Sequence, residues 1–169
     1  KSLILKMIKK LLREQKSLSK EHEKERRYCY FLSSRILMIK IIGLGPGAPE
    51  SLTVGAVEQL KKCKNIYFRT EIHPTVDYIK EIGIKFKTYD HYYETSSSFD
   101  EVYKNIAEDL IKVYKEEGDL LYAVPGHPLV AEKSVSNLID LCKENNIEYK
   151  IIPAVSFIDA MMDRLQIDP

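Results

Sequence analysis

Short apolar segments alternate with amphipathic segments from Ile36 onward, and this alternation constrains the fold more than any other feature of the chain. The apolar runs are β-branched or bounded by turn residues, which is typical of buried strands. Strands that alternate with helices form a parallel sheet with right-handed crossovers. The sequence therefore predicts an α/β fold, with a parallel five-stranded sheet and helices on both faces. The predicted strands are Ile36–Ile42, Asn65–Phe68, Ile84–Tyr89, Leu120–Val124 and Glu148–Ile152.

In the segments between these strands, apolar residues recur at helical spacing, which predicts amphipathic helices. Val102, Ile106 and Leu110, for example, recur on one face of a long amphipathic segment. Thr53 is placed to cap the first helix, and a glycine follows the second and the third. The predicted helices are Thr53–Cys63, Pro74–Ile82, Phe99–Glu116 and Leu129–Asn145.

Three loops rich in glycine or proline follow predicted strands: residues 43–49, 125–128 and 153–156. In open parallel sheets, ligands bind at the carboxyl ends of the strands, so all three loops belong to the edge where a site is expected. Glycine permits close approach of backbone to a ligand, and proline fixes the loop shape. Each loop taken singly is equally consistent with a plain turn, but three at one edge favour a binding site.

The first loop also matches the dinucleotide pattern G-x-G-x-x-A through Gly43, Gly45 and Ala48. A helix should then begin directly after the glycines, so that its N-terminus faces a pyrophosphate. Pro46 and Pro49 intervene instead, so the pattern does not favour NAD. No lysine follows the glycines as a P-loop requires, which excludes that class of nucleotide site.

Charge and composition change abruptly near Met38. Residues 1–37 hold 11 Lys and Arg against 4 Glu, whereas all seven glycines and all seven prolines lie at or beyond Gly43. The first segment predicts a basic helical extension, roughly Leu3–Arg27, and the compact domain is expected over 38–169. The extension has two interpretations, a nucleic-acid or membrane-surface arm and a solvated extension outside the domain, of which we favour the second.

Several classes of protein are excluded or disfavoured. No apolar run approaches the roughly 20 residues that a membrane span needs, and lysines interrupt Leu3–Leu12, unlike a signal peptide. We therefore expect a cytoplasmic protein without membrane or nucleic-acid partners. Cys29, Cys63 and Cys142 are scattered and form no CxxC, so neither disulfides nor a metal site are expected.

Four segments of the chain resemble the tetrapyrrole (corrin and porphyrin) methylase family, and in particular the subgroup fused to a MazG-type nucleotide pyrophosphohydrolase. They are IIGLGPGAPESLTVGAVEQL at 41–60, FRTEIHP at 68–74, YAVPGHPLVAEKSV at 122–135 and IIPAVSFIDA at 151–160. The resemblance covers nearly all of the chain beyond residue 37. The chain departs from the wider family in having His127 where Gly-Asp-Pro is usual and Ala154 where Pro-Gly is usual.

The resemblance implies the N-terminal lobe of a two-lobed fold that binds S-adenosylmethionine between its lobes and releases S-adenosylhomocysteine. The second lobe would follow Pro169. The residues that would contact this cofactor are Pro46, Pro125, Gly126, His127, Val155 and Ser156. The resemblance also implies a small-molecule methyl acceptor, a homodimer and a fused MazG domain. It assigns no catalytic residue, because methyl transfer from an activated donor needs mainly proximity and orientation.

Two functions of different class stay open: a methyltransferase domain, and a non-catalytic module that senses S-adenosylmethionine or a nucleotide for an attached pyrophosphohydrolase. Two polar clusters outside the loops are further candidates. Arg69, Glu71 and His73 follow the second strand and could face an acceptor, a dimer partner or solvent. The cluster His91-Tyr92-Tyr93 could stack on a flat acceptor, although such clusters more often belong to a core or an interface.

Overall fold

The computed structural model describes residues 37–168. The predicted basic helix in the first segment lies outside these residues. Five strands form one sheet, and every adjacent pair is parallel. The strands are β1 (Ile39–Gly43), β2 (Ile66–Phe68), β3 (Lys87–Thr88), β4 (Leu120–Val124) and β5 (Tyr149–Ile152). The order in the sheet is β3-β2-β4-β1-β5. The predicted fold class is confirmed.

Helices connect the strands and follow the last one. They are α1 (Val54–Lys62), α2 (Thr75–Glu81), α3 (Asp90–Thr95), α4 (Phe99–Glu117), α5 (Lys133–Glu144) and α6 (Phe157–Leu165), with a 3-10 turn at Pro49–Ser51. Thr53 caps α1 as predicted, because its side chain accepts a hydrogen bond from the Ala56 N–H. Helices α3 and α6 were not among the predicted elements.

Strand β1 begins at Ile39 rather than at the predicted Ile36. Two further predicted boundaries, those of α5 and β3, were wrong for reasons that the local structure shows. Helix α5 begins at Lys133 rather than Leu129, because Ala131 has a left-handed φ of 54° and the Glu132 side chain caps the helix by accepting from the Ser134 N–H. Strand β3 is confined to Lys87–Thr88, since it lies at the sheet edge and pairs only with β2. Its predicted start at Ile84 lies instead in the turn that follows α2.

The reversal of chain direction explains why helices cover both faces of the sheet. The chain runs outward from β1 to β2 and β3, then returns to β4 and ends at β5 on the far side. Because right-handed crossovers in opposite directions lie on opposite faces, α1 and α2 pack on one face and α4 and α5 on the other. Two separate apolar cores result, one below each pair of helices.

The loops after β1 and β4 leave their neighbouring strands toward opposite faces of the sheet. Such a switch point is where open α/β sheets form a ligand crevice. None of the helices within residues 37–168 is long and apolar enough to cross a membrane. The same residues bring together no group of three or more His, Cys, Asp or Glu side chains suited to a metal ion.

Candidate functional site

The three predicted loops meet at Gly43, the last residue of β1. A β-carbon on Gly43 would collide with the carbonyl oxygen of Gly126, and would lie 2.5 Å from Cβ of Ala154 and 2.9 Å from Cδ of Pro128. Those three residues belong to the second and third loops. Glycine at position 43 is therefore a packing requirement that lets the loops approach one another.

The first and second loops are joined by a pair of backbone hydrogen bonds between Gly45 and Gly126. The Gly126 N–H donates to the Gly45 carbonyl at 2.8 Å, and the Gly45 N–H donates back at 3.2 Å. Both glycines have left-handed φ values, +74° and +67°, which other L residues adopt only with strain. Pro46, one of the predicted cofactor contacts, follows this bridge directly and is half-buried.

Open space surrounds the α-carbon of Gly126. A β-carbon built there would have no neighbour within 4 Å, in contrast to Gly43. Pro125 and His127 on either side are half-buried. The Nδ1 atom of His127 accepts a hydrogen bond from the Leu129 N–H at 3.1 Å, which leaves Nε2 for a ligand. The predicted contacts of the second loop therefore flank a position that no described residue occupies.

The third loop ends at the start of α6, where Ser156 is buried and caps the helix. Its side chain accepts from the Ile158 N–H at 3.1 Å, and its own N–H donates to Asp159 at 2.7 Å. The Ser156 N–H holds the pKa of Asp159 below its usual range, and the nearby His127 lowers it further. This electrostatic contact places the third loop beside the second.

Backbone donors remain available on these loops. The N–H groups of His127 and Val155 donate to no other residue of the described part of the chain. Thr53 ties the third loop to the first helix by donating to the Pro153 carbonyl at 3.2 Å. The structure thus brings all six predicted cofactor residues to one edge of the sheet, with fixed loop shape and unpaired backbone N–H groups.

The dinucleotide interpretation of the first loop is not supported by the geometry. Helix α1 begins at Val54, after the 3-10 turn, and not at the glycines. Its first-turn N–H groups are partly satisfied by Thr53. A pyrophosphate held by Gly43 and Gly45 would therefore not face the helix N-terminus that this class of site requires.

A second polar feature lies beside the loops, at the carboxyl ends of β2 and β4. Arg69 donates from Nη1 to Oε2 of Glu132 at 2.7 Å, and the Glu132 side chain is only 3% exposed. The other carboxylate oxygen of Glu132 accepts from the Ser134 hydroxyl at 2.7 Å. That hydroxyl also bonds the buried Tyr122 hydroxyl at 2.8 Å. These four residues form a continuous buried network, which we call the Arg69 network.

Glu132 was not among the site residues predicted from the sequence, although it lies within one of the quoted segments. It is the only carboxylate between β4 and α5, a signal that could have found it. Its role depends on a partner 63 residues away, which spacing along the chain does not reveal.

The predicted cluster of Arg69, Glu71 and His73 separates in the structure. Glu71 is exposed and pairs with Lys80 at 3.1 Å. His73 is half-buried. Burial lowers the pKa of His73 below its usual range, against a hydrogen bond to the Gly45 backbone that raises it, and the charge of Arg69 lowers it further. His73 therefore connects the Arg69 network to the first loop.

The residues of the predicted cluster His91-Tyr92-Tyr93 also have different environments in the structure. His91 is exposed and its ring centroid lies 4.2 Å from that of Tyr92. Tyr92 and Tyr93 are half-buried and pack against the core on the α4 face, which supports the interpretation as partial core. Burial raises the pKa of Tyr93 to about 12, so its hydroxyl stays neutral beside the Arg69 network.

A groove of about 470 Å³ lies between α4 and α5. Its lining includes Lys104, Glu108, Lys133 and Asp140, which are solvated side chains of the two helices. Its lining contains neither the loops nor the Arg69 network. These charges are solvated, and Lys104 pairs with Glu108 of its own helix at 3.8 Å, so we assign the groove no role in the site.

Fold and candidate site together define an α/β protein in which three backbone loops converge at the switch point of a parallel sheet. Residues 38–169 match the family of Tetrapyrrole (Corrin/Porphyrin) Methylases. The chain belongs to this family, as its four sequence segments had indicated.

Two curated relatives extend the comparison. The uncharacterized protein YabN of Bacillus subtilis (strain 168) is 38% identical over 131 residues, which cover 78% of this chain and 27% of YabN. Diphthine synthase of Sulfurisphaera tokodaii is 25% identical over 122 residues, covering 70% of this chain and 44% of that protein. The chain spans less than half the length of either relative.

Solved structures share the fold. Uroporphyrin-III-C-methyltransferase from Thermus thermophilus superposes with a TM-score of 0.59 at 19% identity, over 78% of this chain and 54% of that one. A structure of the same enzyme complexed with S-adenyl homocysteine gives a TM-score of 0.52 at 18% identity, over 71% and 46% of the two chains. At these identities the likeness establishes the architecture alone.

Proposed function

We propose that this chain is an S-adenosylmethionine-binding domain that takes part in methyl transfer to a small-molecule acceptor. The observation that carries the proposal is the convergence of three loops on Gly43, with the free backbone N–H groups of His127 and Val155 at one edge. Membership of a methylase family, and the demethylated product bound in a structure of the same fold, support it.

The loops suit this cofactor for chemical reasons. Adenine, ribose and the amino-acid end all need hydrogen bonds, which backbone N–H and carbonyl groups supply without a charged side chain near the sulfonium. A β-carbon at Gly126 would have no described neighbour within 4 Å, so there is room for a ligand against the backbone at this position. Pro46, Pro125, Gly126, His127, Val155 and Ser156 would hold the cofactor.

The cofactor would supply an already activated methyl group. The residues of this chain would contribute orientation and the exclusion of water, which can account for several kcal/mol of a barrier. No acid or base is required of the loops, and His127 is the only titratable side chain among the six contacts.

We propose further that the chain is the N-terminal lobe of a two-lobed domain whose second lobe forms the other wall of the cleft. The greater length of both curated relatives and the exposed apolar residues of α6 support this. Phe157, Met161 and Leu165 are each at least half exposed, and an apolar face of this kind normally packs against a partner. A MazG-type domain fused beyond it and a homodimer remain proposals from the resemblance, and a cytoplasmic location remains a proposal from the sequence pattern.

Two matched glycines test the donor site. Gly126 and Gly83 both have left-handed φ values, and a β-carbon on either has no neighbour within 4 Å. Substitution of each by valine should therefore strain the backbone by a similar amount, about 1–2 kcal/mol. Isothermal titration with S-adenosylhomocysteine should show binding that Gly126→Val weakens at least tenfold and Gly83→Val does not. Equal affinity of both variants, or binding of NAD in place of S-adenosylhomocysteine, would contradict the proposal.

A second measurement distinguishes a methyltransferase domain from a non-catalytic sensing module. A radiolabelled methyl group should move from S-adenosylmethionine to a small molecule of a cell extract, and this transfer should disappear in Gly126→Val. Tight binding without any transfer would favour the non-catalytic sensing module.

A further inference from the structure

Strands β2 and β3 separate at their amino ends, and a pocket of about 160 Å³ lies there. Strand β3 pairs with β2 only through Lys87 and Thr88, so the chain that precedes Lys87 has left the ladder. The residues that line the pocket, among them Lys64, Ile66, Lys85 and Lys87, precede or begin the two strands. The three loops of the candidate site follow the carboxyl ends of β1, β4 and β5. The pocket therefore lies at the opposite edge of the parallel sheet.

The separation of the strands leaves backbone N–H groups without acceptors. The Leu121 N–H donates to the Asn65 carbonyl on the β4 side, so Ile66, the next residue, directs its own N–H toward β3. A longer β3 would offer the Lys85 carbonyl, but this bond is not formed. The N–H groups of Ile66 and Lys85 donate to no other residue within 37–168. Because Ile66 is only 4% exposed, and buried N–H groups normally have a partner, these donors favour an acceptor in the pocket.

Three lysines give the pocket a positive charge, and none of its lining residues carries a carboxylate. Lys64 and Lys85 are exposed, and neither takes part in an ion pair within the described part of the chain. Lys87 donates to the Tyr67 hydroxyl at 2.9 Å and lies 3.7 Å from a carboxylate oxygen of Glu117. At least two of the three positive charges are therefore uncompensated.

The size and the donors of the pocket suit a compact anion with several oxygens. A phosphate group carries about 1.5 to 2 negative charges near pH 7 and presents at least three acceptor oxygens, and lysine binds it as a point charge. The volume of about 160 Å³ is below the roughly 300–1,000 Å³ of pockets that enclose a whole small-molecule ligand. Only the phosphate group of a larger molecule would therefore enter.

We propose that this pocket binds a phosphate group, which would contact the ammonium groups of Lys64 and Lys85 and the N–H of Ile66. The inference does not depend on the proposed function, because the pocket shares no residue with the three loops. A phosphate group and the proposed cofactor could therefore be bound at the same time.

Backbone NMR at constant ionic strength and pH 7.5 tests this in the full 169-residue chain. Sodium phosphate should shift the N–H signals of Ile66 and Lys85 saturably, with a dissociation constant of about 1–10 mM. The Tyr89 N–H is bonded to the Phe68 carbonyl between the same two strands, so it supplies the control signal and should move little.

Two further ligands identify the source of the phosphate group. Adenosine monophosphate should shift the same signals, because its phosphate group can enter the pocket, whereas adenosine should shift neither. Tighter binding of adenosine monophosphate than of inorganic phosphate would identify a phosphate ester as the ligand, and equal binding would identify the phosphate group alone.

Two double variants separate a local site from the overall charge of the protein. Lys64→Gln with Lys85→Gln should weaken phosphate binding about tenfold, because it removes two positive charges beside the ligand. Lys61→Gln with Lys62→Gln is the matched control, since it removes the same charge at two exposed positions of α1. It should change the dissociation constant by less than about twofold, because solvent screens those charges.

Three results would overturn the inference: no saturable shift of Ile66 with phosphate, an equal shift with adenosine or sodium chloride, or equal weakening in the two double variants. Titration of the same sample with S-adenosylhomocysteine, followed at the His127 N–H, tests the proposed function separately. A cofactor response without a phosphate response at Ile66 overturns only the phosphate site. The reverse pattern overturns only the donor site.

Discussion

The converging loops and the Arg69 network lie side by side at one edge of the sheet, yet they are built in different ways. The loops are held together through backbone and depend on residues that lack a side chain or fix φ. The network is held together through side chains and depends on the balance of charge between the largely buried Arg69 and Glu132. Gly43 is the critical residue of the first region and Glu132 of the second. Substitutions that force the backbone to move should destabilise the loops most. Substitutions that remove a charge should destabilise the network most.

The largest effect is expected for Gly43→Ala. The new methyl group would collide with the backbone oxygen of Gly126, which cannot move without breaking its bridge to Gly45. We expect the free energy of unfolding to fall by about 3 kcal/mol, measured by urea denaturation. Gly55→Ala is the matched control, since its β-carbon would lie 3.5 Å from Ile152 in ordinary contact. It should be neutral or stabilise α1 by about 0.5 kcal/mol. Equal losses in both variants would show that the loops are not packed against Gly43.

The next effect is expected for Glu132→Gln, which keeps the shape of the side chain but removes its charge. The largely buried Arg69 would lose its counter-charge, and we expect a loss of about 2 kcal/mol in the free energy of unfolding. Glu71→Gln breaks the exposed pair with Lys80, where both side chains are about half exposed. That change should cost less than about 0.5 kcal/mol. A Glu132 variant as stable as the Glu71 variant would mean that the Arg69 network contributes no more than a surface ion pair.

A smaller loss of stability is expected when a side-chain hydrogen bond to the first loop is removed. Thr75 is buried, and its hydroxyl donates to the Leu44 carbonyl at 3.2 Å. Thr75→Val should lower the free energy of unfolding by about 1 kcal/mol, because a buried carbonyl loses its donor. Thr95→Val removes an exposed hydroxyl bonded to the His91 carbonyl and should change stability by much less. The comparison is made by thermal melts at one pH. If Thr95→Val lowered the stability as much as Thr75→Val, the hydrogen bond to the Leu44 carbonyl would have no special role in holding the loop.

The smallest effect is a pH dependence from His73, which lies between the two regions. Burial lowers its folded-state pKa from the ordinary 6.5, so below pH 6.5 the unfolded chain takes up the proton more readily than the folded chain. The free energy of unfolding should therefore fall as pH drops below 6.5. One proton limits the slope to about 1.4 kcal/mol per pH unit.

His73→Gln should remove this part of the slope between pH 7 and 5, whereas the exposed control His91→Gln should retain it. The difference between wild type and each variant isolates the histidine from carboxylates that titrate in the same range. An unchanged slope in His73→Gln would place the titrating group elsewhere.

The fold was predictable because its signals are local. Val102, Ile106 and Leu110 mark one face of α4, Thr53 caps α1, and both the parallel sheet and its five strands follow from their alternation with helices. The edge strand β3 was predicted too long, since apolar alternation from Ile84 continues beyond the two residues that find a partner. Helix α6 was missed because Phe157, Ile158 and Met161 face solvent in this chain, so their apolar pattern serves no core within it.

The sequence by itself determined the α/β class, the three glycine- and proline-rich loops and their place at the ends of strands. Those features depend on φ preferences and on periodicity, which each short segment carries alone. Only the tertiary structure decided that Gly43 is a packing residue, that Glu71 points away from the site and that Arg69 finds Glu132. The reason is physical: the value of a charged side chain depends on its burial and its partner, and both are set by residues far away in the sequence.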